Sequence, residues 1–460
     1  PVSAFNAIPR AVIQVLHPGL KKTDGGISDA INGRYISLLI CALIGLYVYR
    51  WSKALFGEKA GLFSLFLFVC CPNTQANIPI VGTDAYAALI TVTAAYYFWR
   101  FTASADWRNF CLFSLCIGLG MVTKQSLLLL PAFFGLVSLV MILQKGDLIQ
   151  HLKLNLLRLL VLSVIVLLVI NLAFLFRGTG SPLRSYEFMS DSFNAMKEWK
   201  GINVIPLPLP VPFLEGFDRV KYMMSLGSGN ADVSAHSYIM GKYFTGNAVK
   251  YYYSMVFLFK TPLSVLTLLV LLFVTAGRFA FSRAGFMRLG MPLSLALFFF
   301  AITSIFNTSQ HGLRHLLMIY PLFYVCFGVL VAGVLSKYRT LRAIILVYSV
   351  ATFYFYFPNL LSYTNELIWN KKNAYKILAS TNIDHHQGYY YLQSYLRKHP
   401  GVRMADTVPA SGRLVLGINN YLDLKQTGKY DWIRTFQPVG HVNHCYLLFD
   451  IKESDLRNKP

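Results

Sequence analysis

The chain has 460 residues, of which 55% are apolar and only 13% charged, with a mean hydropathy of +0.49. Soluble domains carry nearer ~25% charge, so the composition excludes a disordered chain, a disulfide scaffold and an ordinary soluble enzyme, and predicts a multi-pass membrane protein. Its 42 Lys and Arg against 20 Asp and Glu give a formal +22. In a soluble protein that excess would suggest nucleic acid; in a membrane protein it first asks whether the basic residues lie in inner loops.

Residues 1–35 carry Phe5, Ile8, Val12, Ile13, Val15 and Leu16 at helical spacing, which predicts a helix lying on a membrane surface. A transmembrane helix needs ~20 mostly apolar residues. Stretches near 36–50, 83–99, 126–143, 155–176, 254–277, 289–306, 314–336 and 341–357 qualify, and shorter ones lie near 60–80 and 109–122. The first short stretch stops being apolar at Cys71-Pro72, and the second ends in Gly118, Gly120 and Lys124. Short spans of this kind can end at a cavity, where irregular backbone is tolerated. The expectation is an all-α membrane domain over 36–358 with about ten transmembrane helices.

With residues 1–35 outside, the inner connections hold 14 basic residues, among them Arg50, Lys53, Lys145, Arg158 and Arg342, against Glu58, Asp106 and Asp147, a net +11. The positive-inside rule favours this orientation. Ten crossings then leave both ends outside. Because the chain opens on Pro1 with no signal-like apolar stretch, the sequence predicts a further transmembrane helix upstream of it.

Residues 177–252 form a long outer loop rich in Gly and Pro, including Pro206, Pro208, Pro210 and Pro212, expected to be a stiffened lid. Residues 359–460 have ordinary soluble composition, with helix-like runs near 386–398 and 431–436 and strand-like runs near 413–418 and 444–451. They predict a small extracytoplasmic α/β domain. Six of the seven cysteines lie in or beside predicted helices, so no disulfide framework is expected. There is no Walker P-loop, no GxGxxG and no HExxH.

Four ionisable residues escape the orientation rule, and all fall at outer helix ends: Asp84, Lys124, Lys260 and Arg314. Ionisable groups at membrane depth are expensive and mark functional sites by default. Asp84 reads either as a helix N-cap or as an active-site acid. Each cation alone could snorkel to the headgroups. Together, three cations and one carboxylate on one face suit a lipid phosphate held just above the bilayer.

Short motifs in order along the chain carry a resemblance. They are Arg34-Tyr35-Ile36-Ser37, Thr83-Asp84, Thr123-Lys124-Gln125, Lys260-Thr261-Pro262, Gly312-Leu313-Arg314-His315-Leu316 with Tyr320-Pro321, Asn365-Glu366, and Ser380-Thr381-Asn382-Ile383-Asp384. In this order the chain resembles polyprenyl-phosphate-sugar-dependent membrane glycosyltransferases of the GT-C superfamily. The protein mannosyltransferases and lipid A aminoarabinose transferases are the nearest types. The resemblance implies inverting transfer of a sugar from a polyprenyl-phosphate donor to a lipid, glycan or protein acceptor. It puts the site at the extracytoplasmic face of a bacterial inner membrane. It implies Lys124, Lys260, Arg314, His315 and Arg34 on the donor-phosphate side and Asp84 among the catalytic residues. Membrane lipids are expected partners and nucleic acid is not. No metal site is assigned, and a divalent metal is left open.

Members of that family carry an acidic pair in the first outer loop, whose Asp is the expected base. Here that loop offers only Asp24 and Asp29, outside the motif, so the pair is expected upstream of Pro1. Asp384-His385-His386 reads as a polar surface turn rather than a metal site, and Tyr251-Tyr252-Tyr253 as an interfacial aromatic belt. His17, His236 and His311 read as isolated. A transporter or flippase, and a non-catalytic scaffold, are the competing readings.

Overall fold

A computed structural model describes residues 2–17, 27–143, 148–199, 201, 203–226, 236–246, 249–276, 283–308 and 310–457. Asp24 and the inner connections at 144–147 and 277–282 lie outside these residues. The surface helix α1 (Ile8–Leu16) buries no side chain and leaves Val12, Val15 and Leu16 exposed. Asn6, just before it, is buried and fully partnered. It donates to the Gly33 carbonyl at 2.7 Å and to Ser37 Oγ at 3.0 Å, and accepts from the Tyr86 hydroxyl at 2.7 Å.

The bundle begins with α2 (Ile27–Phe56), α3 (Glu58–Val69) and the short α4 (Pro72–Asn77). Gly57, at φ +96°, supplies the sharp turn between α2 and α3. Helices α5 (Thr83–Ser104), α6 (Trp107–Thr123), α7 (Leu129–Leu143) and α8 (Leu148–Ala173) follow. Asp106 caps α6 by accepting from the Asn109 amide at 2.8 Å. The outer loop contributes α9 (Asp191–Lys197), α10 (Val211–Leu226) and a hairpin, β1 (Ser237–Ile239) with β2 (Lys242–Phe244). The bundle resumes with α11 (Tyr252–Lys260), α12 (Leu263–Ala276), the single turn α13 (Arg283–Gly285) and α14 (Met291–Phe306). A 3₁₀ segment, Leu313–Ile319, leads into α15 (Tyr320–Ala332), then α16 (Val334–Lys337) and α17 (Arg339–Tyr356). Helix α15 is buried along its length. At Gly328 a β-carbon would overlap Ser52 on α2, so glycine permits the close approach expected of packed membrane helices.

Five stretches are long and apolar enough to cross a membrane: Ile31–Phe56, Gln125–Leu143, Asn155–Ala173, Phe286–Phe306 and Leu313–Ala332. The pair α11–α12 makes a sixth if counted as one span, although it is bent by 113°. All ten expected segments contain helix, but by this measure the described residues supply five or six spans rather than ten. Two of the differences have a clear physical reason. Helix α5 is surrounded by protein along most of its length and can carry Thr and Tyr. The stretch expected as one span over 254–277 breaks at Thr261-Pro262, where proline cannot continue the ladder of hydrogen bonds.

The tail forms a four-stranded mixed sheet. Its elements are α18 (Tyr389–Lys398), β3 (Val402–Met404), β4 (Gly412–Gly417), α19 (Ile418–Leu422), α20 (Asp431–Arg434), β5 (Gly440–Val442), β6 (Tyr446–Ile451) and α21 (Glu453–Arg457), with strand order β3-β4-β6-β5. Leu414, Leu416, Leu447 and Phe449 join the main core, while Val415 packs with Leu392 of α18 on the other face. Alternation along β4 thus buries both sides of the sheet.

The proline run is tied down rather than loose. Pro208 O accepts from Asn171 at 3.0 Å, and Leu207 accepts from the Gly180 amide at 2.8 Å and donates to the Ser181 carbonyl at 3.2 Å. Asp218 on α10 is 1% exposed and accepts from the Met189 amide, the Ser190 amide and Ser190 Oγ at 2.6, 2.9 and 2.6 Å. Burial alone would raise its carboxyl pKa, but these bonds outweigh burial and hold it below the usual value. Asp218→Ala leaves three donors unpaired, at ~1–3 kcal/mol each before relaxation. Limited proteolysis of the full chain is therefore expected to cut within 187–226 at least about tenfold faster in the variant.

Candidate functional site

Asp84, Lys124 and Arg314 are brought together from three separate chain segments. Asp84 lies in the first turn of α5, and the N-cap position itself is held by Gly82 in extended backbone, which corrects the N-cap reading. A carboxylate there is stabilised by the positive helix end. Lys124 closes α6 as its C-cap residue, at the negative end of that helix. Its Nζ donates to Asp84 Oδ1 at 2.6 Å. Arg314 enters from the 3₁₀ segment, with Nε 4.0 Å from Asp84 Oδ2. The three side chains are only 17–30% exposed. Arg314 Nε is buried without a hydrogen-bond partner. Two cations against one acid leave a net positive charge at the cluster. A half-buried guanidinium with an unused donor is suited to an anion.

His315 lies beside this cluster. Its Nδ1 is 3.0 Å from Asn307 Nδ2, and its ring lies 6.2 Å from that of Tyr253. Tyr252 and Tyr253 are 1% and 0% exposed, so the expected interfacial belt is corrected: only Tyr251 is exposed. The two buried hydroxyls accept from Asn382 at 3.2 Å and from Asn307 at 2.9 Å, because a buried phenol needs a partner.

Lys260 does not join the cluster, contrary to expectation. It is 1% exposed, and its Nζ donates to the carbonyls of Leu361 at 2.6 Å and Asn382 at 2.5 Å. Breaking the helix at Thr261-Pro262 frees carbonyls at membrane depth, and each must find a donor. Asn365 Nδ2 donates to Leu258 O and Thr261 O at 2.5 and 2.8 Å, and Asn73 Nδ2 donates to Lys260 O at 2.6 Å. The Lys-Thr-Pro and Asn-Glu motifs therefore meet as one structural joint. Arg34 is exposed on α2, and no described hydrogen bond or ion pair links it to Asp84.

The same joint fixes Arg314. Asn382 Oδ1 accepts from the Leu313 amide at 3.0 Å, and Thr381 Oγ1 donates to the His311 carbonyl. Gly312 lies between them at φ +94°, and a β-carbon would come within 2.7 Å of Thr381 Oγ1 and 2.9 Å of Asn382 Oδ1.

Beside Lys124 opens a groove of about 340 Å³, lined by Thr83, Met121, Gln125, Phe174, Phe213 and Phe217. Helix α10 of the outer loop supplies its far wall, so the Asp218 latch also shapes the site. Sequence reasoning placed His385 in a surface turn. It is exposed, yet it feels the charges at the cluster. Burial of its ring comes first, then Arg314 and His386, in holding it below the usual histidine range, with Asp84 pulling the other way. Burial and then Arg314 also depress His311. The usable signal was its place two residues after Thr381-Asn382-Ile383. Asp384, by contrast, is buried and accepts from the His386 amide at 2.9 Å. Among the described residues no three His, Cys, Asp or Glu side chains gather as a metal site.

The fold and the cluster define an integral membrane protein with two cations gathered on one carboxylate at one end of its helix bundle. Residues 28–173 match the model of the dolichyl-phosphate-mannose-protein mannosyltransferase family. Over that stretch the chain is similar to these membrane glycosyltransferases; the match takes in Asp84 and Lys124. Among solved structures, ArnT from Cupriavidus metallidurans bound to undecaprenyl phosphate aligns with 97% of this chain and 87% of its own, at 11% identity and a TM-score of 0.45. The apo form of the same protein aligns with 97% and 86%, at 10% identity and a TM-score of 0.45. No curated protein matches the chain in sequence.

Gly312→Ala puts a β-carbon into the 380–384 turn at a positive φ, a strain of about 1–3 kcal/mol. A lower unfolding temperature is expected, with faster proteolysis between α17 and α18. Because His385 is held below the usual value of about 6.5, the unfolded chain binds its proton more readily. Stability therefore falls as pH drops below that value, and His385→Gln is expected to flatten this part of the pH–stability curve.

Proposed function

We propose that this chain is an inverting glycosyltransferase that moves a sugar from a polyprenyl-phosphate donor to an acceptor hydroxyl or phosphate. We place the reaction at the extracytoplasmic face of a bacterial inner membrane. One observation carries the reading: Lys124 and Arg314 converge on Asp84 at the edge of the bundle, beside a groove with one wall of Phe174, Phe213 and Phe217. A polyprenyl-phosphate sugar needs just these two neighbours, a cationic pocket for its phosphate and an apolar wall for its chain. The family description also names a donor of this kind, dolichyl-phosphate-mannose.

In the reaction an acceptor oxygen attacks the anomeric carbon as the bond from that carbon to the phosphate oxygen breaks. The bonding pair leaves on the phosphate, which passes from one negative charge toward two. The acceptor proton goes to a base. Cations fixed at the leaving oxygen are worth more in the transition state than in the ground state, which is the condition for catalysis. Asp84 acts here as a positioning residue. Both its oxygens are engaged, and it keeps Lys124 and Arg314 close despite their repulsion.

The test uses the full chain in nanodiscs with undecaprenyl-phosphate-mannose and dolichyl-phosphate-mannose as donors. Transfer is expected for the wild type. Arg314→Gln is expected to lower kcat/KM by roughly 10²–10³, the scale for losing one transition-state donor, and Lys124→Gln by at least about tenfold. Donor movement between leaflets without sugar transfer would favour a flippase. Unchanged rates in both variants would remove these residues from the phosphate role.

A further inference from the structure

A second cavity lies at the opposite end of the bundle. Helices α5, α6, α7 and α8 enclose a crevice of about 490 Å³. Phe101 stands at one end of it, and at 1.5 Å per residue it lies about 26 Å along α5 from Asp84. The walls are aromatic, with Phe98, Phe110, Phe113 and Phe134 lining the deeper part. At the Phe101 end sit Asn155 and Arg158, where the apolar stretch of α8 begins. Leu139 of α7 and Leu159 of α8 line the crevice and are 51% and 57% exposed, so it opens between these helices toward the surrounding lipid.

Charge counting alone treats Arg158 as one more inner-loop cation. The structure puts it elsewhere. Its guanidinium lies 4.9 Å over the Phe101 ring, and Nη1 donates to Asn155 Oδ1 at 3.3 Å. Among the described residues no carboxylate pairs with it. A guanidinium has five N–H donors, and the one described hydrogen bond, to Asn155, uses only one of them. A cation at one end and aromatic walls beyond it match the two halves of an anionic lipid.

We propose that this crevice is a binding site for an anionic phospholipid, with the headgroup phosphate on Arg158 and one acyl chain among the phenylalanine rings. The bidentate geometry of a phosphate fits the fork of the guanidinium, and Arg158 is the one cation among the residues that line the crevice, so it can neutralise the net negative charge of the lipid. The site is separate from the Asp84 cluster and does not depend on the transfer reaction.

The experiment measures retention of phosphatidylglycerol against phosphatidylcholine by the detergent-solubilised full chain, using native mass spectrometry together with the unfolding temperature. Phosphatidylglycerol is expected to bind roughly tenfold tighter, the scale of one charge-assisted hydrogen-bonded contact. In Arg158→Gln the two lipids should come within about twofold of each other. Gly135 lines the crevice, and a β-carbon there would meet nothing within 4 Å. Gly135→Leu should therefore fold normally, fill the space and retain less phosphatidylglycerol with Arg158 intact. Equal binding of the two lipids by the wild type overturns the proposal, as does selectivity kept in Arg158→Gln or full retention in Gly135→Leu. Inorganic phosphate alone reproducing the stabilisation would make this an anion site and not a lipid site, which also overturns it.

Discussion

A buried lysine fixes much of this architecture. Lys260 sits where α11 ends, at membrane depth, with its side chain withdrawn from solvent. An amino group buried there must be hydrogen-bonded, and the carbonyls freed by the break at Pro262 need donors of their own. Both requirements are met by the segment after α17. Leu361 and Asn382 accept from Lys260, and Asn365 donates to the broken turn. That segment cannot drift from the bundle without exposing several unpaired groups together.

The consequence reaches the cation cluster through Asn382, which binds Lys260 with its carbonyl and the Leu313 amide with its side chain. Arg314 is the next residue. Its guanidinium is thus positioned from the tail side, while Lys124 and Asp84 are positioned by the ends of α6 and α5. Helix ends suit this task, since their dipoles favour the acid at the start of α5 and the cation at the close of α6. The result is a site assembled where rigid elements meet.

How much of this was legible in the sequence depends on what each signal measures. Asp84, Lys124, Lys260 and Arg314 stand out because charge at a helix end inside an apolar chain is costly, and the first, second and fourth of them lie side by side. Lys260 gave the same signal for a different cause: a lysine bonded to carbonyls and a lysine awaiting a phosphate look alike in one dimension. Tyr252 and Tyr253 were misplaced for a similar reason, since a tyrosine run suits an interface and a hydrogen-bonded core equally well. The tail's longer strands, β4 and β6, were visible through their apolar runs. Three-residue strands such as β3 and β5 carry too few residues to show a period. The break at Pro262 was readable in principle from the proline, but the apolar run on both sides of it masked the bend. Arg158 was hidden by bookkeeping, because a count of basic loops cannot distinguish a residue beyond the apolar span from one three residues inside it.

The central claim is that Lys124 and Arg314 hold a lipid phosphate beside the groove walled by Phe174, Phe213 and Phe217. The most direct measurement compares the affinity of the full chain for undecaprenyl phosphate with that for undecaprenol, which keeps the chain and lacks the phosphate. The account predicts a preference for the phosphate of at least roughly tenfold, since charge-assisted bonds exceed this scale, and its collapse in the Lys124→Gln, Arg314→Gln double variant. Equal affinity for the two lipids in the wild type, or an undiminished preference in the double variant, would contradict it.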